Sequence, residues 1–423
     1  MSHEFIVEFE CPQCGAEASL DETSRVFQCQ YCGVKSYLIP EDVFQYVLPG
    51  KVPANKEVIY FPFWRFKGVL FSCLSSLSVH SEPVDYLYQA APSDFFPAGL
   101  GFKAHVMKMR FAGPEFKGRI FKPVIPFTEV IEQFKYDYET GFDDEYGDEL
   151  GIFHSEFIGI REIIYAPYYT HDHTLYDGIT NERVDRFDEE MIVVDDPLLN
   201  ELPPATGLKQ NAQFFPTLCP HCGWDMECAR DSYLLTCLNC NSFYKPQKGK
   251  IQKIGVAFLP AEAETAIYLP FWRLKAAAGG IKLDTYGDLI KTANLIKVVP
   301  ENDRQRTFHF WIPAFKIASK LFLQIATRVT LFQPHGKLES KIPKDPVYPV
   351  NLPVSEILKF PKTLISNFIA FKEMHYPKLE QMEITPKRLA LIYLPFQAYG
   401  SEFVHSDYKV RVGKQTLEHF RLS

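Results

Sequence analysis

The chain has 423 residues, too many for one ordinary core at roughly 150 residues per domain, so at least two domains are expected. Hydrophobic residues make up 46% and charged residues 23%, which are globular proportions. The 36 Phe and 22 Tyr favour strands, and the 31 Pro, spread along the chain, disfavour long helices. The composition predicts a mainly β fold with some α (α+β). The formal charge of −7 opposes nonspecific attraction to nucleic acid.

The first ten residues show no basic segment followed by an apolar one, so no secretory signal is read there and a cytoplasmic location is expected. Cys11/Cys14 and Cys29/Cys32 follow as two CxxC pairs with fourteen residues between them. A CxxC turn aims two sulfurs at one ion, and a hairpin returns the second pair to complete a tetrahedron. The run Cys-Pro-Gln-Cys-Gly over 11–15 supplies a fixed φ before the turn and a permissive glycine after it. Disulfide or redox chemistry fits a leaderless chain with repeated CxxC pairs poorly. Iron held by four thiolates would share the geometry, and zinc is the assignment. Four protein ligands leave no open position, so the expected role is structural.

Residues 59–67, Ile-Tyr-Phe-Pro-Phe-Trp-Arg-Phe-Lys, alternate with period two and predict a strand. Pro62 is expected at a sheet edge or strand start. The aromatics read as core, with Trp64 and Arg65 as the minor alternative of a recognition strip. The stretch from Gly68 to Val79 is interrupted by serines and too short to span a bilayer. Thr128 has the look of an N-cap to a short helix, with Glu129 in its first turn. The segment 137–149 gathers seven carboxylates and reads as a solvated loop, with a calcium site or a contact for a basic partner as alternatives. His171 and His173 would share a face if extended, although a polar turn is the simpler reading. Residues 196–210 read as a linker.

The pattern then repeats. Cys219, Cys222, Cys237 and Cys240 lie 208 positions after the first four cysteines. The same shift places Ile267-Tyr-Leu-Pro-Phe-Trp-Arg-Leu-Lys275 on the first aromatic strand, including Trp272 and Arg273. Weaker echoes follow in order. Phe96-Pro97-Ala98 resembles Ile312-Pro313-Ala314, and Pro123-Val124 resembles Pro349-Val350. Thr128–Ile131 matches Ser355–Leu358, so Ser355 is a second candidate cap, and Ile164–Tyr168 matches Ile392–Phe396. The reading is an internal duplication of two homologous halves, each a zinc ribbon followed by a β-rich domain. The expected boundaries are 1–50 for the first ribbon, 51–195 for its β-rich domain, 196–210 for the linker, 211–250 for the second ribbon and 251–423 for the second β-rich domain.

Two structural Zn2+ ions are expected, and each set of four thiolates lowers the net charge further, to about −11 in all. His221 lies inside the third knuckle and is not needed as a ligand. Cys73 and Cys228 lack a CxxC partner and read as packed or loop thiols, not as sensors. Lys245, Lys248, Lys250 and Lys253 place positive charge beside the second ribbon, whereas residues 1–50 carry eight acids against two bases. No phosphate-cradling glycine loop, HExxH or GxSxG is found, and no catalytic residue is assigned.

The CPxCG ribbon followed by Tyr-x-Pro-Phe-Trp, at Cys11 to Lys67 and again at Cys219 to Lys275, resembles bacterial TFIIB-type zinc-ribbon proteins, often labelled primosomal-helicase-like. The resemblance implies no helicase chemistry, because the nucleotide-binding loop is missing. Some proteins of that group look like adaptors in membrane-associated assemblies. The expectation is therefore a non-catalytic metal-binding scaffold that works by protein–protein interaction. The alternative is a nucleic-acid-binding module acting through the second ribbon.

Overall fold

A computed structural model describes residues 5–40, 42–100, 108–146, 151–184, 202–209, 212–247, 250–261, 266–379 and 381–421, with side chains left out at 142–146 and 419–421. The fold is mixed α/β and divides into two compact units that interleave in sequence. Unit 1 comprises Met1–Gly68, Val84–Asp137 and Gly159–Pro216, and unit 2 comprises Val69–Pro83, Tyr138–Ile158 and Thr217–Ser423. The segment expected to be a linker, 196–210, lies partly outside the described residues, at 196–201 and 210. Pro203 and Ala205 bond back to Ile120 and Gly118 within unit 1.

The strands of the first half are β1 (Ile6–Glu10), β2 (Glu17–Asp21), β3 (Val26–Gln28), β4 (Lys35–Pro40), β5 (Phe44–Val47), β6 (Ile59–Leu74), β7 (Val79–Gln89), β8 (Met109–Phe111), β9 (Arg119–Ile120), β10 (Ile152–His171) and β11 (Thr174–Asp177). Seven of them form a mixed sheet in the order β2-β1-β8-β5-β10-β6-β7, with β11 beside β10 and β9 beside β6. The unit 1 core is aromatic, as the composition predicts: Phe61 stacks on Phe96 at 4.1 Å, and Phe9 meets Phe27, Phe111 and Phe214. Phe214 arrives on β12 (Ala212–Pro216), which adds to the β3–β4 hairpin.

Unit 2 holds two sheets. One is β13 (Leu235–Cys237), β14 (Ser242–Gln247) and β15 (Lys250–Ile254). In the other, β16 (Val256–Phe258) lies beside β19 (Ile384–Tyr399), and the order is β18 (Phe310–Pro313), β17 (Ile267–Ala278), β19, β20 (Glu402–His405), β21 (Val410–Gly413). The tip residues Phe71, Cys73 and Ile158 belong to this unit's core, where Phe71 packs on Phe322 and Phe360. Burial raises the Cys73 thiol to about 11, so it is an inert packed group.

Helices are longer than the proline count predicts. Helix α1 runs Phe127–Tyr146, so the acidic segment is helical through residue 146 and not a loop. Asp137 accepts hydrogen bonds from Tyr88 and Gln133, while residues 147–150 lie outside the described set. Unit 2 adds α2 (Tyr286–Thr292), α3 (Ser319–Phe332), α4 (Val354–Ile357), α5 (Pro361–Phe368) and α6 (Lys414–Arg421). In α3, Phe322, Ile325, Ala326 and Val329 recur at helical spacing and are buried, so a tertiary apolar stripe outweighs the weak propensity of its aromatic and β-branched residues.

Thr128 and Ser355 are not caps. The Pro126 carbonyl receives the first helical bonds, from Glu129 and Val130, and Pro353 caps α4 with no side-chain bond. Proline suits that place because a capping residue is extended and its N–H needs no helical partner.

Pro62 and Pro270 also depart from expectation. Their strands begin earlier, at Ile59 and Ile267, and β6 and β17 are interior to their sheets. The pairing of β17 with β19 explains this. Tyr268 faces Pro395 and Pro270 faces Tyr393, so two Tyr-x-Pro segments run antiparallel with each proline opposite a tyrosine. Tyr268 spends both backbone groups on Pro346 and Tyr348, and the Tyr393 carbonyl accepts from Leu259. Both facing pairs are therefore of the non-hydrogen-bonded kind, where the partner strand asks nothing of a proline nitrogen.

Unit 1 repeats this circuit atom for atom. Ala90 N donates to Pro62 O as Ala314 N does to Pro270 O, and Phe121 N to Tyr60 O as Tyr348 N to Tyr268 O. Leu48 N donates to Tyr165 O as Leu259 N does to Tyr393 O. The Trp64 indole donates to Ile125 O at 2.8 Å and the Trp272 indole to Leu352 O at 3.4 Å. The counterpart of Ala314 is thus Ala90 and not Ala98. A two-letter Pro-Ala match had displaced that alignment by eight residues, and the bond to the proline carbonyl corrects it.

The alternating strand buries its aromatics as core, and Arg65 is buried with them. Its guanidinium makes a bidentate pair with Asp85 at 2.9 and 2.8 Å, contacts Glu22, lies 3.5 Å from Glu162 and covers the Phe5 ring at 4.3 Å. Lys67 also reaches Glu22, at 3.0 Å. Burial, then the charge of Glu22, pushes Glu162 up to about 7 despite the opposing pull of Arg65. Replacing Arg65 with Met strands buried carboxylates and is expected to cost unit 1 about 3–5 kcal/mol in denaturant unfolding. Because the folded carboxyl holds its proton to higher pH than the unfolded one, Glu162 erodes stability as pH rises from about 4.3 towards 7. Glu162→Gln should lack that decline, so its stability relative to wild type rises across the same window and levels off above it, as paired melts at each pH will show.

Candidate metal centres

In unit 1, β1 and β2 pair through Glu10 and Glu17, and the turn between them carries Cys11 and Cys14. Strands β3 and β4 pair through Gln28 and Lys35, and their turn carries Cys29 and Cys32. Within each turn the first cysteine's carbonyl accepts from the glycine after the second: Gly15 N to Cys11 O at 2.8 Å and Gly33 N to Cys29 O at 3.0 Å. Closing the turn this way needs the left-handed conformation, and Gly15 and Gly33 adopt φ of 72° and 73°.

The second centre is built alike. Gly223 (φ 73°) donates to Cys219 O at 2.9 Å, and Cys219 N to Trp224 O repeats Cys11 N to Ala16 O, each at 2.8 Å. Asn241 stands where the first ribbon has Gly33 and takes the left-handed conformation at φ 52°, which asparagine tolerates better than most residues. The Cys237–Asn241 knuckle leads directly into β14 through the Cys237–Ser242 pair.

These turns bring the eight predicted cysteines into two clusters, each with all four sulfurs within 4.8 Å of one another. Cys11 and Cys32 are 3.8 Å apart and Cys14 and Cys29 3.7 Å, while Cys219–Cys240 and Cys222–Cys237 span 3.8 and 3.6 Å. Four sulfurs bound at about 2.3 Å around a tetrahedral ion lie about 3.8 Å apart, whereas a disulfide would draw two of them to about 2.0 Å. Donor set and spacing fit two structural Zn2+ sites.

The surroundings favour thiolate at one sulfur of each cluster in particular, Cys29 and Cys219, while the neighbouring sulfurs hold Cys14 and Cys240 above the ordinary thiol value. Backbone N–H groups, that of Cys32 first, bring Cys29 down to about 6 against the effect of burial. At Cys219 burial works the other way, but the Tyr244 hydroxyl, 3.3 Å from the sulfur, and the N–H groups of Cys222 and His221 also reach about 6. His221 Nδ1 lies 3.3 Å from Cys240 Sγ, a hydrogen-bonding neighbour of a ligand in a cluster that already has four. Cys228 stays outside, its sulfur 3.2 and 3.3 Å from the carbonyls of Ala229 and Leu234.

The other candidates separate. Asp172 and His173, at φ of 50° and 60°, form the two-residue turn joining β10 to β11, and His171 Nδ1 meets Lys56 Nζ at 2.7 Å. Two left-handed residues in succession make a type I′ hairpin turn, so this is the polar turn and not an extended metal pair. On the β14–β15 hairpin, Lys245 lies opposite Gln252 and Lys250 opposite Gln247, on one face, while Lys253 opposite Tyr244 lies on the other. Lys248 is outside the described residues.

What the spacing of cysteines does not announce is the apolar exposure around them. Trp224 is 61% exposed, Leu238 54% and Leu218 55%, all within two residues of a ligand of the second centre, and Tyr31 of the first is 77% exposed.

No family description, curated protein or solved structure matches the chain. About two zinc per chain are expected by elemental analysis. Cys11→Ser and Cys219→Ser should each lose about one and expose their own ribbon to proteolysis while the other stays loaded, since metal binding supplies the local folding energy.

Proposed function

We propose that the chain is a non-catalytic intracellular adaptor or assembly subunit, in which two structural zinc ribbons, products of one internal duplication, present binding surfaces to protein partners. The exposed apolar crown of the second ribbon carries this reading. Trp224, Leu238 and Leu218 stand on the knuckles of a rigid metal-closed hairpin. Large apolar side chains held in water on such a scaffold mark a contact surface, and tryptophan is the residue most enriched at binding hot spots.

Each half is read as a ribbon followed by a sheet domain, because the knuckle bonds and the Tyr-x-Pro circuit recur in the same order. The centres stabilise without reacting, since every ligand position is taken by sulfur. Among the described residues no helix is long and apolar enough to cross a membrane. A nucleic-acid role for the second ribbon draws less support, because the hairpin lysines divide between two faces and present no single basic stripe.

The test is affinity purification from the native host, with Trp224→Ala/Leu238→Ala beside wild type. The expected result is a co-purifying protein retained by wild type and lost by the double variant at unchanged zinc content. A lone wild-type monomer would refute the adaptor reading. Salt-sensitive RNA or DNA capture that weakens on Lys245→Glu/Lys250→Glu would replace it with the nucleic-acid one.

A further inference from the structure

Within unit 2, helix α3 and the β20–β21 hairpin flank an open cleft of about 570 Å3, within the volume range of small-molecule sites. Its floor is apolar: Leu321 and Ile325, one helical turn apart on α3, with Val404 and Val410 from the hairpin. Arg328, Lys409 and Arg411 also line it, and no acidic residue does. Arg411 reaches Glu402 at 3.4 Å. Arg328 donates to the Lys409 carbonyl, which leaves its charge without a carboxylate, and the Lys409 ammonium has no polar partner among the described residues.

The hairpin turn is held in a costly form. Lys409 adopts φ 52°, a left-handed conformation that a residue with a Cβ takes at a cost of about 1 kcal/mol or more. Its N–H bonds to Ser406 O, and Arg328 grips its carbonyl. His405, another lining residue, stacks on Tyr408 at 3.5 Å, and its buried Nδ1 has no hydrogen-bond partner. Burial brings that imidazole down to about 4, so it is neutral near pH 7.

We infer that this cavity binds a free amphipathic organic anion. A carboxylate or phosphate-monoester head is held by Arg328, Lys409 and Arg411, and a short aliphatic body lies on Leu321, Ile325, Val404 and Val410. The apolar floor alone would take a neutral hydrocarbon, and the cations alone an inorganic ion. Both together select a molecule with the two parts joined, because like charges lining one cleft gain by a counter-charge and its apolar side chains gain by being covered.

The experiment is calorimetric titration of the full-length, zinc-loaded protein with decanoate, decyl phosphate, decanol and inorganic phosphate. Saturable binding of at least one decyl anion, about tenfold or more tighter than decanol and inorganic phosphate, is expected, weakening as salt rises. Arg328→Gln/Lys409→Gln should lose about tenfold or more. Lys409→Gly keeps the left-handed turn while removing one cation, so it should stay folded and also bind more weakly. No saturation by either decyl anion below about 1 mM, equal affinity for decanol, or unchanged affinity in Lys409→Gly would each overturn the assignment. Capture by phosphatidylglycerol vesicles without binding of the free anions would also do so, pointing to a bilayer instead.

Discussion

A proline can sit in the middle of a sheet only where no neighbour needs its missing N–H, and the architecture of both units is arranged around that requirement. In unit 2 the two Tyr-x-Pro segments meet so that each proline faces a tyrosine whose backbone groups are engaged elsewhere. The proline carbonyl remains an acceptor, and it anchors the returning chain at Ala314, which in turn collects Asn351 and Leu352. Ala90, Val124 and Ile125 do the same in unit 1. One local constraint thus fixes where three distant segments converge and where the tryptophan indole finds its acceptor.

The metal centres were the most legible part of the sequence. Cysteine spacing is a local property, and the glycines that close each turn are adjacent to the ligands they serve, so eight residues converge as the spacing predicts. Long-range pairing was less legible. Proline reads as a sheet-edge or strand-start residue from sequence, since the register that admits it to the interior depends on a strand more than one hundred residues away. The acidic stretch read as a loop because its charges mask a helix begun upstream at Phe127. The cavity beside α3 could not be read at all, as its lining comes from segments about eighty residues apart.

The repeated aromatic strand carries an arginine in each unit, and the two meet opposite fates. Arg65 is enclosed by Glu22, Asp85 and Glu162. Following the shared hydrogen-bond circuit, the matching positions hold Arg230, His309 and Ala390. Arg273 accordingly has no carboxylate partner among the described residues. It lies 5.8 Å from the Trp311 ring, and partial burial lowers its pKa. The backbone scaffold is common to both units, while the electrostatics built on it are not.

That buried ion cluster ranks its members by what the loss of each would cost the fold. Removing Arg65 leaves stranded anions, and removing Asp85 opens a bidentate pair, so either single change is costly. Glu162 is the acid already nearest neutrality, and losing its charge discards the least favourable member. Glu162 is therefore the member that can be neutralised at least cost, and the strand beside Arg273 carries the uncharged Ala390 at the matching position. The charges of unit 1 thus hold one another in place as a set, and the arginine that unites them is the one group that none of the others can spare.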